Sequence, residues 1–229
     1  MRLMLRRRNG FTLVELTVTT VMTASLAIML GTTWRQLSRP MSDLIAWGQL
    51  FQEIDLAVAA LSRDVGGSQP DYTDSNATLG GKQQGRLLGV RSSPTDANIL
   101  QLWFDGGNNT SIPPPSWPDL STLSNGDTIV EYSYSADDAN NKYLLVRTRT
   151  VYGNTKTTAQ YTVASLGKPP KTSSDPAMKI TPQTVAVSTT NVQFLQIDLT
   201  FTYHYPQETY NPNYEPVTRT CTLVVQQFP

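Results

Sequence analysis

The string Gly10-Phe11-Thr12-Leu13-Val14-Glu15-Leu16 holds the residues of this chain whose types and spacing could do chemistry together. Glu15 is a carboxylate inside an apolar run, Phe11 to Leu30, that follows a basic leader carrying Arg2, Arg6, Arg7 and Arg8. Placing a carboxylate in hydrocarbon costs roughly 2.5 kcal/mol or more, and such residues are usually functional. Phe11 and Glu15 stand one helical turn apart. A cut between Gly10 and Phe11 would give Phe11 a new amino terminus. Amine and carboxylate would then be opposite charges one turn apart, at a helix N-terminus whose dipole favours the carboxylate. Gly10 suits such a cut, because without a side chain it permits an extended substrate backbone.

The element that must carry these groups is the apolar run itself. As a secretory signal it would be cleaved after a small-x-small site, and Ser25-Leu26-Ala27 is a weak match because the run continues to Leu30. As a plain membrane anchor it has the required length of about 20 residues. Five threonines and a serine make it polar for that role, although their hydroxyls can bond to preceding backbone carbonyls and so lower the cost of burial. The arginines set the N-terminus in the cytoplasm and the rest of the chain outside.

The third reading uses the glutamate. The string Gly10 to Glu15 resembles, at all six positions, the class III signal of type IV pilins and type II secretion pseudopilins. The basic leader, with Arg6, Arg7 and Arg8, and the apolar run lie in the matching places. The resemblance implies cleavage after Gly10 by prepilin peptidase, N-methylation of Phe11, and pairing of Glu15 with the amino terminus of a neighbouring subunit during filament assembly. The partners it implies are other pilins or pseudopilins through the N-terminal helix, prepilin peptidase and an inner-membrane assembly platform. It also implies a single-pass protein of the bacterial inner membrane with a periplasmic head, later part of a cell-envelope or surface filament.

Beyond Gly31 the run is interrupted by Arg35, Arg39 and Pro40, and Pro40 is expected to kink or briefly break a helix. A 3-4 periodicity follows, Leu44, Trp47, Phe51, Ile54, Val58, Leu61 and Val65, with Asp43, Gln49, Gln52, Glu53 and Arg63 off the stripe. That pattern predicts an amphipathic helix lying on a sheet, in preference to a coiled coil, whose two-stranded seam Trp47 and Phe51 would crowd. Gly66-Gly67 ends it. The expected organisation is a cleaved leader at 1–10, a transmembrane or filament-core helix at 11–39, an amphipathic helix at 40–67 and a β-rich head at 68–229. A straight helix from Phe11 to Val65 would measure roughly 80 Å.

The head reads as strands separated by turn formers. Strands are expected at Arg86–Val90, Ile99–Phe104, Thr128–Ser135, Tyr143–Tyr152, Gln160–Ala164, Val185–Val187, Val192–Tyr205 and Val217–Phe228. Loops are expected at Asp105–Asn109, Pro113–Pro115, Asp137–Asn141, Gly167–Pro176 and Pro206–Pro216. The middle pair reads as a hairpin. One long helix followed by antiparallel strands is an α+β fold with the sheet on the helix stripe. The order of these strands is similar to the heads of J-type minor pseudopilins and PilW-like minor pilins, and removing ten residues from 229 leaves 219 for a head of that larger kind. The pair of C-terminal cysteines that staples many major pilins is missing.

Composition excludes several classes. Lys+Arg and Asp+Glu both number 18, but four of the basic residues lie in the leader, so the remainder is mildly acidic and ill suited to nucleic acid. The sequence has no phosphate loop, HExxH, CxxC or GxSxG. Cys221 and His204 are single, and both are expected to be structural. No cofactor or metal is expected, with calcium at Asp105–Asn109 or Asp137–Asn141 as the alternative. The expected function is that of a minor pseudopilin or minor pilin, pilin-like in fold and not an enzyme. The alternatives are a membrane-anchored periplasmic binding module that does not polymerise, and a secreted enzyme with an unrecognised site.

Overall fold

The computed structural model describes residues 12–66, 78–79, 82–83, 85–107, 117–120, 123, 126–137, 139, 142–153, 155–168, 177–187, 190–205 and 215–226. Among the described residues one long helix, α1 (Leu13–Val65), precedes ten strands. The chain divides into two units, residues 1–45 and residues 46–229.

In the first unit α1 runs on through Pro40 without the break expected there. The helical hydroxyls are satisfied locally. Thr17 donates to the Val14 carbonyl at 2.9 Å, Thr23 to Thr19 at 2.7 Å and Ser25 to Val21 at 2.8 Å. Each hydroxyl thus needs no water, which fits a polar-looking helix for an apolar medium. An 18-residue window of α1 is long and apolar enough to cross a membrane, and none of it is buried against the protein.

In the second unit the strands are β1 (Thr78–Leu79), β2 (Lys82–Gln83), β3 (Leu87–Ser92), β4 (Leu100–Phe104), β5 (Thr128–Asp137), β6 (Lys142–Val151), β7 (Thr157–Ser165), β8 (Met178–Val187), β9 (Thr190–Tyr203) and β10 (Val217–Gln226). The single sheet expected from the strand order is instead a five-stranded sheet β3-β4-β5-β6-β7, a three-stranded sheet β10-β9-β8 and the small ladder β1-β2. All pairings are antiparallel, and β5-β6 is the hairpin expected from its two β-rich runs. The residues expected as loops at 113–115, 169–176 and 206–214 lie outside the described residues, as does Gly67; Gly66 does close the helix, donating to the Ser62 carbonyl at 2.8 Å.

One core joins the head half of α1 to both larger sheets. Leu50, Ala57, Ala60 and Leu61 of the helix meet Val90, Leu102, Val130, Tyr132 and Leu145 of the larger sheet, and Ile180, Leu195, Ile197 and Phe201 of the smaller. The buried residues of the helix are Ala46, Leu50, Ala57, Ala60, Leu61 and Asp64, with Glu53 half-buried between them. Leu61 lies on the stripe read from the sequence, and Ile54, Val58 and Val65 of that stripe are half-buried, but the other buried residues lie one position N-terminal to it. Phe51 is 57% exposed and Leu44, at the end of that stripe, 71%. Close packing explains the shift: alanines let the helix axis approach the strands, while the large residues are left to flank the contact. Trp47 does so with a partner, lying under the Arg219 guanidinium at 4.4 Å.

The two sheets are stitched at Leu166, whose N–H donates to the Tyr143 carbonyl and whose carbonyl accepts from the Thr202 N–H, both at 2.6 Å. The next residue, Gly167, has φ +67°, and a Cβ there would collide with the Thr202 carbonyl. Gly167→Ala is therefore expected to cost about 3 kcal/mol or more, combining left-handed strain with a backbone clash. Chemical denaturation checks this, and a loss under about 1 kcal/mol would mean that the stitch relaxes freely.

Candidate functional site

The first turn of α1 brings together the residues singled out at the N-terminus that fall among those described. Thr12 precedes the helix and Glu15 is its third residue. The Thr12 N–H donates to Glu15 Oε2 at 3.0 Å, the Thr12 hydroxyl donates to the same oxygen at 2.9 Å, and the Glu15 N–H donates to Thr12 Oγ1 at 3.3 Å. This is a capping box, a reciprocal arrangement in which each side chain satisfies the other residue's orphan N–H. The signal Thr-x-x-Glu was in the sequence, and reading Glu15 only as a charge missed it. Both threonine bonds use Oε2, so among the described residues Oε1 is free to accept another donor. Gly10, Phe11, Arg6, Arg7 and Arg8 lie outside the described residues. Behind the cap the helix is exposed as far as Leu37, including the apolar Leu13, Val14, Leu16, Val18, Val21 and Met22.

A second constellation, which the sequence did not reveal, fixes the head half of the helix. Asp64 on α1 is fully buried beneath the larger sheet. Its Oδ2 accepts from Arg147 Nε on β6 and from the Tyr132 hydroxyl on β5, each at 2.6 Å, and Oδ1 accepts from Arg147 Nη2 at 3.3 Å. Tyr132 and Arg147 are directly opposite in the β5-β6 register, and Arg147 is opposite Tyr161 of β7. Its guanidinium lies 5.4 Å from the Tyr161 ring. Burial pulls the Arg147 pKa down, but the hydrogen bond and charge of Asp64 outweigh it and hold the guanidinium above its ordinary value. Burial, then the Asp64 charge, pushes the Tyr132 phenol well above its ordinary range.

The tyrosine shift has a testable consequence. The folded state keeps the Tyr132 proton at pH values where the unfolded chain, with a phenol near 10, has lost it. The stabilisation is complete below about pH 10 and is lost as pH rises above it. Denaturant midpoints compared between about pH 8 and pH 11 should fall more steeply for the native chain than for Tyr132→Phe. Equal slopes would show that Tyr132 titrates freely.

Where α1 crosses the junction of the sheets, a cleft of about 420 Å³ is lined by Gln49, Gln52, Glu53, Lys142, Tyr203 and His204, among others. Glu53 accepts from the Ser165 N–H at 2.6 Å, and His204 Nε2 lies 2.7 Å from the Lys168 carbonyl, to which it donates. Cys221 is half-buried on the inward face of β10, and burial raises its thiol pKa, away from thiolate reactivity. Asp105 and Asp127, both buried, accept from the Gly107 and Gly106 N–H groups at 2.9 and 2.7 Å, so these carboxylates build a turn. Among the described residues no group of three or more His, Cys, Asp or Glu side chains is placed to hold a metal ion.

Comparison with family models, with curated proteins and with solved structures finds no match to this chain.

Proposed function

We propose that the chain is a minor subunit of a type II secretion pseudopilus or a type IV pilus-like fibre, cut after Gly10 by prepilin peptidase and N-methylated on Phe11. The observation that carries this reading is the carboxylate in the first turn of an exposed apolar helix, whose Oε2 takes both bonds from Thr12 while its Oε1 has no donor among the described residues. A cut between Gly10 and Phe11 leaves the Phe11–Thr12 peptide intact, so the Thr12 N–H still binds Oε2. The new amine then lies one residue before the cap, and Oε1 can accept from that amine or from the amine of a neighbouring copy. The exposed apolar surface behind it is what a subunit needs first in a bilayer and then among other helices.

In this reading Arg6, Arg7 and Arg8 hold the leader in the cytoplasm until the cut. The head, from the second half of α1 onward, is the periplasmic part, and the missing cysteine staple favours a minor subunit at the fibre tip over a major one. Assembly is mechanical and is driven by a separate cytoplasmic ATPase. The polar cleft supports the second reading, a membrane-anchored binding module that never polymerises.

The test is expression with and without an active prepilin peptidase. The chain should shorten by its leader only when the peptidase is present, and Gly10→Val should block the shortening. A chain of unchanged length in both strains would leave the anchored binding module as the better reading.

A further inference from the structure

β10 is an outer strand of the smaller sheet, and among the described residues its open edge has no partner. From Thr220 to Gln226 it has no charge, no proline and no glycine, and it pairs with β9 without a shift. Such an edge is half of a peptide site. The other half is a set of apolar contacts for alternate side chains of the incoming strand. Beside β10 that second half is present. Arg219, Cys221 and Leu223 alternate on the inward face of β10, opposite Phe201, Leu199 and Ile197 of β9. The Arg219 guanidinium lies 4.4 Å from the centre of the Trp47 ring on α1, and the Trp47 and Phe51 rings are 5.9 Å apart. Trp47 is half-buried and Phe51 exposed, whereas Ala46 and Leu50 beside them are buried. The flank of α1 nearest Arg219 is thus aromatic and open. The opposite flank is polar: Gln49, Gln52 and Glu53 line the cleft, and Glu53 takes the Ser165 N–H of β7. The helix therefore offers β7 no apolar wall. β3 carries Arg91 and a register shift, and β8 carries Lys179 and Pro182, features that discourage an added strand.

We propose that this strip binds an extended segment of a partner protein. The segment adds to the sheet at Thr220–Gln226, sets apolar side chains at alternate positions against Trp47, Phe51 and Leu223, and meets Arg219 with a carboxylate side chain. Backbone hydrogen bonds to β10 supply affinity, and the alternate side chains supply specificity. Arg219 selects the acidic residue. Its guanidinium is held on the face of Trp47, and it has no ion pair among the described residues. The same group selects another protein over a second copy of this chain. None of β3, β7, β8 and β10 carries an aspartate or glutamate, so no outer strand of a second copy's larger sheets brings a carboxylate to Arg219. The site lies wholly within the head and does not depend on whether the chain polymerises.

The experiment is selection from a display library of random peptides, about ten residues long, on the full chain in lipid nanodiscs, with empty nanodiscs removing lipid binders. Enriched peptides should alternate apolar and polar residues and share one Asp or Glu. Selection on Arg219→Glu should exchange that acid for Lys or Arg. Phe51→Ala should weaken an enriched peptide roughly tenfold or more, and both variants should melt close to the native temperature. Binding should slow amide hydrogen exchange in β10 and leave β7 unchanged. N-methylation of alternate amides of the peptide should abolish binding in one of the two registers and spare it in the other. No enrichment over empty nanodiscs, binding indifferent to Arg219→Glu and Phe51→Ala, or protection outside β10 would overturn the proposal. So would a dimer of the chain alone that already protects β10, since the occupant would then be a second copy.

Discussion

Asp64→Ala should cost the head about 3–5 kcal/mol, because it leaves the Arg147 guanidinium buried without its counter-charge and removes the acceptor of the Tyr132 hydroxyl. For a head of this size that is a fall of roughly 10 °C in melting temperature. Arg147→Ala should cost a similar amount for the mirror-image reason, and the two losses should not add, since either one breaks the same pair. Asp64→Leu combined with Arg147→Met should recover most of the stability, because removing both charges also removes the cost of burying them. Single variants that each lose less than about 1 kcal/mol would mean that water reaches the pair. The consequence is positional as much as energetic. Asp64 is the last buried residue of α1, and its two partners lie on neighbouring strands, so the ion pair fixes the rotation of the helix on the sheet.

Glu15→Gln should lower incorporation into a fibre by about a hundredfold or more, while cleavage and membrane insertion stay close to normal. Glutamine is the informative replacement. It preserves the capping box, since Gln at the third helical position can accept from the Thr12 N–H as Glu does. A role confined to capping therefore predicts little change on Glu15→Gln, and a loss of about 1 kcal/mol of local helix stability on Thr12→Ala. A role in neutralising a buried amine predicts the reverse: severe loss with Glu15→Gln and a mild effect with Thr12→Ala. The expected readout is subunit recovered in sheared fibres relative to subunit in membranes. Normal recovery of Glu15→Gln would reduce Glu15 to a cap.

Much of the fold was legible in local pattern. The strands at β4, β5, β6, β9 and β10 follow from runs of β-branched and aromatic residues between turn formers, and Cys221, Leu223 and Val225 face inward as their alternation predicts. Leu61 of the expected stripe is buried and Ile54 and Val65 pack on the core, but most of the buried set lies one residue earlier, because the largest apolar side chains drew the stripe. Burial instead follows Ala46, Ala57 and Ala60, whose small size carries little hydrophobic signal but permits close approach. Asp64 and Arg147 are 83 residues apart, and nothing in the sequence near either announces the other. Pairings of that kind are decided by tertiary register, which is also why one expected sheet proved to be two larger sheets and a small ladder among the described residues. At the N-terminus the opposite holds, for the capping box was written in four consecutive residues.

The central claim is that the chain is cut between Gly10 and Phe11 and enters a fibre through its new terminus. The most direct measurement is the intact mass of the protein purified from membranes of a cell with active prepilin peptidase, with sequencing of its first residues by fragmentation. The account predicts a chain that begins at Phe11 and is heavier by one methyl group on the amine. A chain that begins at Met1, or one cut after Ala27, would contradict it.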